Sequence, residues 1–311
     1  MHFKLIYENH WNFGIHVADT LLMIKYALET AGHRADIEKS IVPGYCNIVL
    51  ENFSDDFVDA AQQARSQDEN TGFIIVATEF LVDAGFNQFK QDALIQKTTH
   101  YDDQAYWEKR YSNFLKMLPL SRAIWHLSEH QVDVYKAELK RDDIYYLPHV
   151  YNDKLYTVKH RPDDQKDIDF VFTGTLTDYR KKILYQFETK GYRVVALPML
   201  TAAFHREDII ARSKIALNIK QHAQWLHPSN SRFFYHLMNR SILVSEPSPF
   251  KCDLGAYVDV APAGKLMEAC NYRLAQGNLA RLAETRAQQL KDIENVPECF
   301  KQLASLEKIK N

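Results

Sequence analysis

The 311-residue sequence is short of the features that mark several protein classes. Its four cysteines, Cys46, Cys252, Cys270 and Cys299, are scattered, with no CxxC pair and no zinc-ligand spacing. That pattern argues against a disulfide-stapled or zinc-ribbon fold and fits reduced thiols in a cytosolic protein. No apolar run comes near the ~20 residues that span a bilayer. The opening MHFKLIYENHW has no basic segment followed by a long apolar one, so no signal peptide is expected. Excess charge of one sign is also missing. Lys and Arg number 38 against 40 Asp and Glu, for a net charge of −2. No global positive field therefore draws in nucleic acid or acidic membrane, although a local basic patch stays open. Tandem repeats and low-complexity tracts are absent. A cytoplasmic protein is expected.

What is present is ordinary globular composition: 46% hydrophobic, 25% charged and 12% aromatic. The length exceeds one typical core and suits two domains. The first half alternates strand and helix. Residues 2–7, 34–37, 46–50, 72–78, 123–127 and 144–147 read as strands, with helical spacing over 14–32 and 55–65. That rhythm is the one of a parallel sheet with crossover helices. A long polar and aromatic insertion at about 87–120 interrupts it; such a segment more often covers a core edge than binds a ligand. Residues 151–167 read as a polar linker, and the alternation then restarts. The predicted division is 1–155 and 156–311, with helices over 264–293 and 297–309 closing the chain.

The most informative stretch is 212–246, RSKIALNIKQHAQWLHPSNSRFFYHLMNRSILVSE. It reads as strand, polar loop, helix and strand. Two buried parallel strands with polar groups at their carboxyl ends form a ligand crevice. A helix opened by Pro228, Ser229 and Asn230 would point its amino terminus into that crevice, which suits a phosphate. Upstream, DFVFTGTLTDYRKKIL runs a strand into Thr173, Gly174 and Thr175, then a helix from near Asp178. The glycine permits close backbone approach to a phosphate, and Arg180 on the first turn suits pairing with it. A single glycine is not a dinucleotide fingerprint, and the GK[ST] ending of a Walker loop is missing. A tight turn with a solvated arginine explains the same residues.

Other candidates are weaker. His126–His130 spells HLSEH, the H-x-x-E-H pattern of one zinc peptidase group. His126 reads as strand, however, and Ser128 with Gln131 has capping-box spacing that starts the helix at Glu129. A strand end facing a crevice suits His126 and Glu129 better than zinc. His16 stands at the start of the first long helix, where it suits proton transfer from a hydroxyl, with Asp19 to orient it. Glu79 is a rival base, and Glu8 and His10 are weaker rivals. His149, Lys220, His222 and His227 lie at strand ends or in the 219–228 loop, where charge-assisted bonds to a diphosphate are available. No G-x-S-x-G elbow, Cys–His pair or DxD at a strand end is found, so no metal or cofactor is expected.

SKIALNI followed by SRFFYHLMNRSILVSE resembles the donor-site segment of GT-B glycosyltransferases, nearest to the spore-maturation-like, group 1 type. FTGTLTDYRKKILYQFETKGYRV is similar to their phosphate loop and arginine helix, and WHLSEHQVDVY and YLPHVY to the end of their first domain. The resemblance covers roughly the last two-thirds of the chain. It implies an α/β GT-B fold, two Rossmann-like domains with parallel sheets facing a cleft. It also implies metal-independent transfer of a hexosyl or pentosyl group from a nucleotide-sugar, such as a UDP-sugar, to a hydroxyl-type acceptor. Gly174, Thr175, Arg180, Lys220 and Ser229–Arg232 (Ser229, Asn230, Ser231, Arg232) would flank the donor diphosphate. Glu246 would lie near the base or ribose. Two positions depart from the family pattern. Tyr235 stands where an acid that holds the donor is usual, and Arg240-Ser241 replaces a small glycine turn. A nucleotide-sugar epimerase of the same fold, a phage-type DNA-base glycosyltransferase and a catalytically inactive binding protein are the alternatives. The acceptor (glycan, protein, lipid-linked or nucleic acid) is open, as is a monomeric or homodimeric state.

Overall fold

A computed structural model describes residues 1–10, 14–87, 103–293, 297–301 and 303. The chain forms two compact units, 1–150 with 295–311, and 151–294.

The first unit is a six-stranded parallel sheet. Its elements are β1 (His2–Ile6), α1 (Ala18–Thr30), β2 (Arg34–Glu38), β3 (Cys46–Leu50), α2 (Asp55–Gln67), β4 (Gly72–Ala77), a short hairpin of β5 (Leu81–Val82) and β6 (Gly85–Phe86), α3 (Gln104–Met117), β7 (Ser121–His126), α4 (Val132–Leu139) and β8 (Ile144–Tyr146). Strand order is β2-β1-β3-β4-β7-β8. β3 and β4, CNIVL and GFIIVA, are buried at every position. Such continuous apolar runs are what a strand covered on both faces requires. α2 starts where Ser54 accepts from Phe57 N at 3.2 Å, and it buries Phe57, Val58, Ala61 and Ala64. Trp107, Phe114, Tyr135 and Ile144 complete this core.

The second unit is a five-stranded parallel sheet: β9 (Ile168–Thr173), α5 (Asp178–Glu188), β10 (Val194–Leu197), α6 (Ala203–Ala211), β11 (Ser213–Asn218), α7 (Asn230–Met238), β12 (Ile242–Ser245) and β13 (Asp259–Val260), then α8 (Leu266–Gln276) and α9 (Leu279–Lys291). Its order, β10-β9-β11-β12-β13, is the doubly wound 2-1-3-4-5 arrangement. Phe170, Phe172, Ile215, Leu217 and Val244 form the core with the inner face of α5. α7 is buried at seven of its nine positions, and the buried set includes the polar Asn230 and His236 beside Phe233, Phe234 and Leu237.

Two sequence expectations change. The helix expected at Glu129 begins with a 3-10 turn, Glu129–Gln131, and α4 follows it. Ser128 makes no side-chain cap, and Gln131 accepts from Leu81 N at 2.8 Å instead of closing a capping box. The predicted division places the closing segment in the second half. Its described part, α10 (Glu298–Lys301), packs in the first unit, where the Phe300 ring lies 5.3 Å from Trp125. Of the 87–120 insertion, 88–102 lies outside the described residues, and 104–117 is the amphipathic α3.

Candidate functional site

In the second sheet the winding reverses between β9 and β11. Open α/β sheets form ligand crevices at such a reversal, beyond the carboxyl ends of the strands. Here β9 ends at Thr173 and β11 at Asn218. Two arginines reach this point from different helices.

Arg180 comes from the first turn of α5, which Thr177 caps. Its Nε donates to the carbonyls of Ile219 and Lys220 at 3.0 and 3.1 Å, and its Nη1 to Thr175 O at 2.8 Å. Arg232 comes from the first turn of α7. Its Nε donates to Thr173 O at 2.9 Å, and its Nη1 to Asn218 Oδ1 and to Ser229 Oγ. Both guanidinium carbons stand 5.2 Å from the centre of the Phe172 ring. The solvated arginine that the sequence also allowed is therefore not what forms: Arg180 is 6% exposed.

Neither guanidinium has a carboxylate within ion-pair distance among the described residues; every hydrogen-bond partner is a neutral oxygen. Burial, the adjacent Arg232 charge and a weaker opposing pull from Glu246 bring Arg180 down to about 9. Burial brings Arg232 down to about 10. Both remain cations at neutral pH. Two desolvated positive charges held only by carbonyl and hydroxyl dipoles favour an anion, and the guanidinium fork matches phosphate geometry.

Gly174 completes the turn. Its φ of +130° is one that side-chain-bearing residues rarely adopt, and a Cβ built there would stand 2.7 Å from Arg232 Nη2. Opposite, Glu246 is 6% exposed. It accepts from Tyr179 OH at 2.6 Å and from Lys220 N at 2.7 Å, and burial raises the Tyr179 phenol. The Lys220 side chain is half-buried with no carboxylate partner among the described residues. Ser229 and Asn230 stand at the start of α7, Ser231 is exposed, and Thr175 is half-buried. His227 is buried and stacks on Phe250 at 5.1 Å. Tyr235 is buried on α7, with the Arg206 guanidinium 4.2 Å over its ring.

The remaining predicted residues fall in the first unit. His16 lies in the turn Ile15–Val17, and its side chain is outside the described residues. Glu79 follows β4 and is ion-paired at 2.7 Å to Arg110, which also pairs with Glu51 at 2.7 Å. Asn87 donates to Glu79 at 2.5 Å. His126 is fully buried. Its Nε2 meets Glu79 O at 3.0 Å, its Nδ1 accepts from Ser128 N at 2.9 Å, and burial lowers it to about 4. Glu129 is exposed, and His149 is buried. The sequence reading missed Glu51, Arg110, Asn218 and Tyr179. Glu51 was detectable, because it ends the apolar run CNIVL just as Glu246 follows ILVS.

No protein-family profile and no curated protein matches the chain. Among solved structures it is similar to an α,α-trehalose 6-phosphate synthase from Burkholderia multivorans, at 9% identity and a TM-score of 0.47, covering 96% of this chain and 75% of the other. A UDP-forming trehalose-phosphate synthase from Burkholderia xenovorans scores 0.45 at 9% identity, covering 96% and 78%. Accessory secretory protein 1, 2 and 3 from Streptococcus pneumoniae scores 0.46 at 9% identity, and here the chain spans 55% of the other's length. Likenesses this distant say nothing of the chemistry of this chain.

Proposed function

We propose that the chain is a glycosyltransferase that binds a nucleotide-sugar diphosphate at the β9/β11 crevice and passes the sugar to a hydroxyl acceptor without a metal. The carboxylate-free pair of the buried Arg180 and the half-buried Arg232 carries this reading. An acceptor oxygen would attack the anomeric carbon as its bond to the diphosphate breaks. The two guanidiniums and the α7 amino end would take up the charge on the leaving group. An inverting reaction needs a base for the hydroxyl proton. Arg110 and Asn87 already engage the Glu79 carboxylate, which favours His16.

A thermal-shift screen of nucleoside diphosphates tests the binding. At 100-fold excess over Kd a ligand stabilises by about 2.7 kcal/mol, so one diphosphate should raise Tm by several degrees. Arg180→Ala and Arg232→Ala should each weaken that ligand about tenfold or more. A flat screen, or unaltered affinity in both variants, removes the diphosphate site. In a transfer assay, His16→Ala should lose turnover and keep donor binding; unchanged turnover eliminates His16. A nucleotide-sugar-binding protein without transfer is the second reading, favoured by Tyr235 at the expected acid. Donor binding with neither transfer nor hydrolysis would select it.

A further inference from the structure

The second unit contains a cavity of about 130 Å³ at the amino ends of its strands, the opposite end of the sheet from the crevice. Its wall is formed where strands begin: Lys214 at the start of β11, Ser241 and Ile242 at the start of β12, and Lys166 just before β9. The six residues of β11 separate the two sites by roughly 17 Å, at ~3.3 Å per residue.

Donors dominate this wall. Lys166 pairs with Asp163 at 2.8 Å and Lys214 with Asp169 at 2.7 Å, which leaves each ammonium with further N–H groups. Arg240 pairs with Glu284 at 3.0 Å through Nη1, while its buried Nε has no hydrogen-bond partner. Ser241 is 7% exposed, and its hydroxyl is buried and unpartnered. His160 donates from Nε2 to Asn239 O at 2.6 Å, so the buried, unpartnered Nδ1 is an acceptor in the neutral ring. A buried hydroxyl, guanidinium N–H and imidazole nitrogen around one cavity each cost stability unless something pairs them. The Glu284 carboxylate in the same wall is already engaged by Arg240, and several donors with the His160 acceptor match hydrogen phosphate, which offers several oxygens and one O–H. The volume is well below the ~300–1,000 Å³ of pockets that take drug-sized ligands, so a whole nucleotide does not fit.

We propose that this cavity is a second oxyanion site, sized for inorganic phosphate or the phosphate end of a small monoester, and held by Lys166, Lys214, Arg240, Ser241 and His160. It is independent of the crevice, which also attracts phosphate, so the test separates the two. Calorimetric titration of the full chain with inorganic phosphate should show binding that persists in Arg232→Met. In that background Ser241→Ala should weaken it about tenfold. Lys214→Met should weaken it further, and Lys214→Arg, which keeps the charge, should retain it. If Lys214→Met does not fold, Ser241→Ala and Lys214→Arg still decide. Loss of all phosphate binding in Arg232→Met overturns the proposal, as does residual binding indifferent to Ser241→Ala and Lys214→Met. A parallel titration with glycerol 3-phosphate identifies the source. Tighter binding assigns the apolar wall at Leu279 to an ester, and exclusion assigns the site to free phosphate.

Discussion

At Glu51 a carboxylate that is 1% exposed shares a single guanidinium, Arg110, with Glu79. Thr78 N, Thr78 Oγ1 and Glu79 N donate to its other oxygen at 3.0–3.1 Å. Burial pushes the acid up to about 7, Arg110 opposes this, and the Glu79 charge reinforces it. An unfolded glutamate titrates near 4.5, so between that pH and about 7 the folded state holds a proton that the unfolded state has lost. The contribution of Glu51 to stability is thus full below about 4.5 and is lost as pH rises through 7. Denaturant midpoints measured from pH 4.5 to 8 should fall less steeply in Glu51→Gln than in the parent, and matching slopes would show that Glu51 does not titrate in this window. Arg110→Met is the harsher change. It leaves two carboxylates without their cation and should cost about 3–5 kcal/mol at pH 8, with part recovered on acidification.

The turn from β9 into α5 is where local structure and site chemistry meet. Gly174→Ala would force an alanine to φ +130° and set its methyl against Arg232 Nη2, whose guanidinium Thr173 O and Asn218 hold in place. The expected result is a loss of about 1–3 kcal/mol of stability together with weaker nucleoside diphosphate binding. Parental diphosphate affinity in a folded Gly174→Ala would mean that Arg232 can move aside without consequence. Elements of this kind were legible in the sequence because their signals are local. A buried parallel strand is an apolar run, as in FIIVAT and SKIALN, and Thr177 caps α5 three residues before Arg180. Burial of Arg180 was not legible, since its partners Ile219 and Lys220 lie 39 and 40 residues away. For the same reason Arg110 looked like one more charge on an amphipathic helix, although it meets Glu51 across 59 residues. Gln131 has capping-box spacing but bonds Leu81 at a separation of 50. In each case a tertiary partner decides what the side chain does, and no periodicity carries that information.

Each unit has its own parallel sheet and its own apolar core, one around Ile75, Phe114 and Tyr135, the other around Phe172, Leu217 and Val244. The arginine pair, Gly174 and Glu246 all belong to the second. A diphosphate held by those groups adds its binding free energy to the unit that contains them. If the two cores unfold as separate transitions, the ligand should raise one and leave the other in place. Core truncations identify the transitions: Ile75→Ala and Leu217→Ala, both fully buried, should each lower its own by about 2–5 kcal/mol. Scanning calorimetry with a nucleoside diphosphate at about 100 Kd should then raise the transition sensitive to Leu217→Ala by about 2.7 kcal/mol, and Arg232→Met should remove that increase. A ligand that raises only the transition sensitive to Ile75→Ala would move the diphosphate to the first unit and leave the two carboxylate-free guanidiniums of the second without a function.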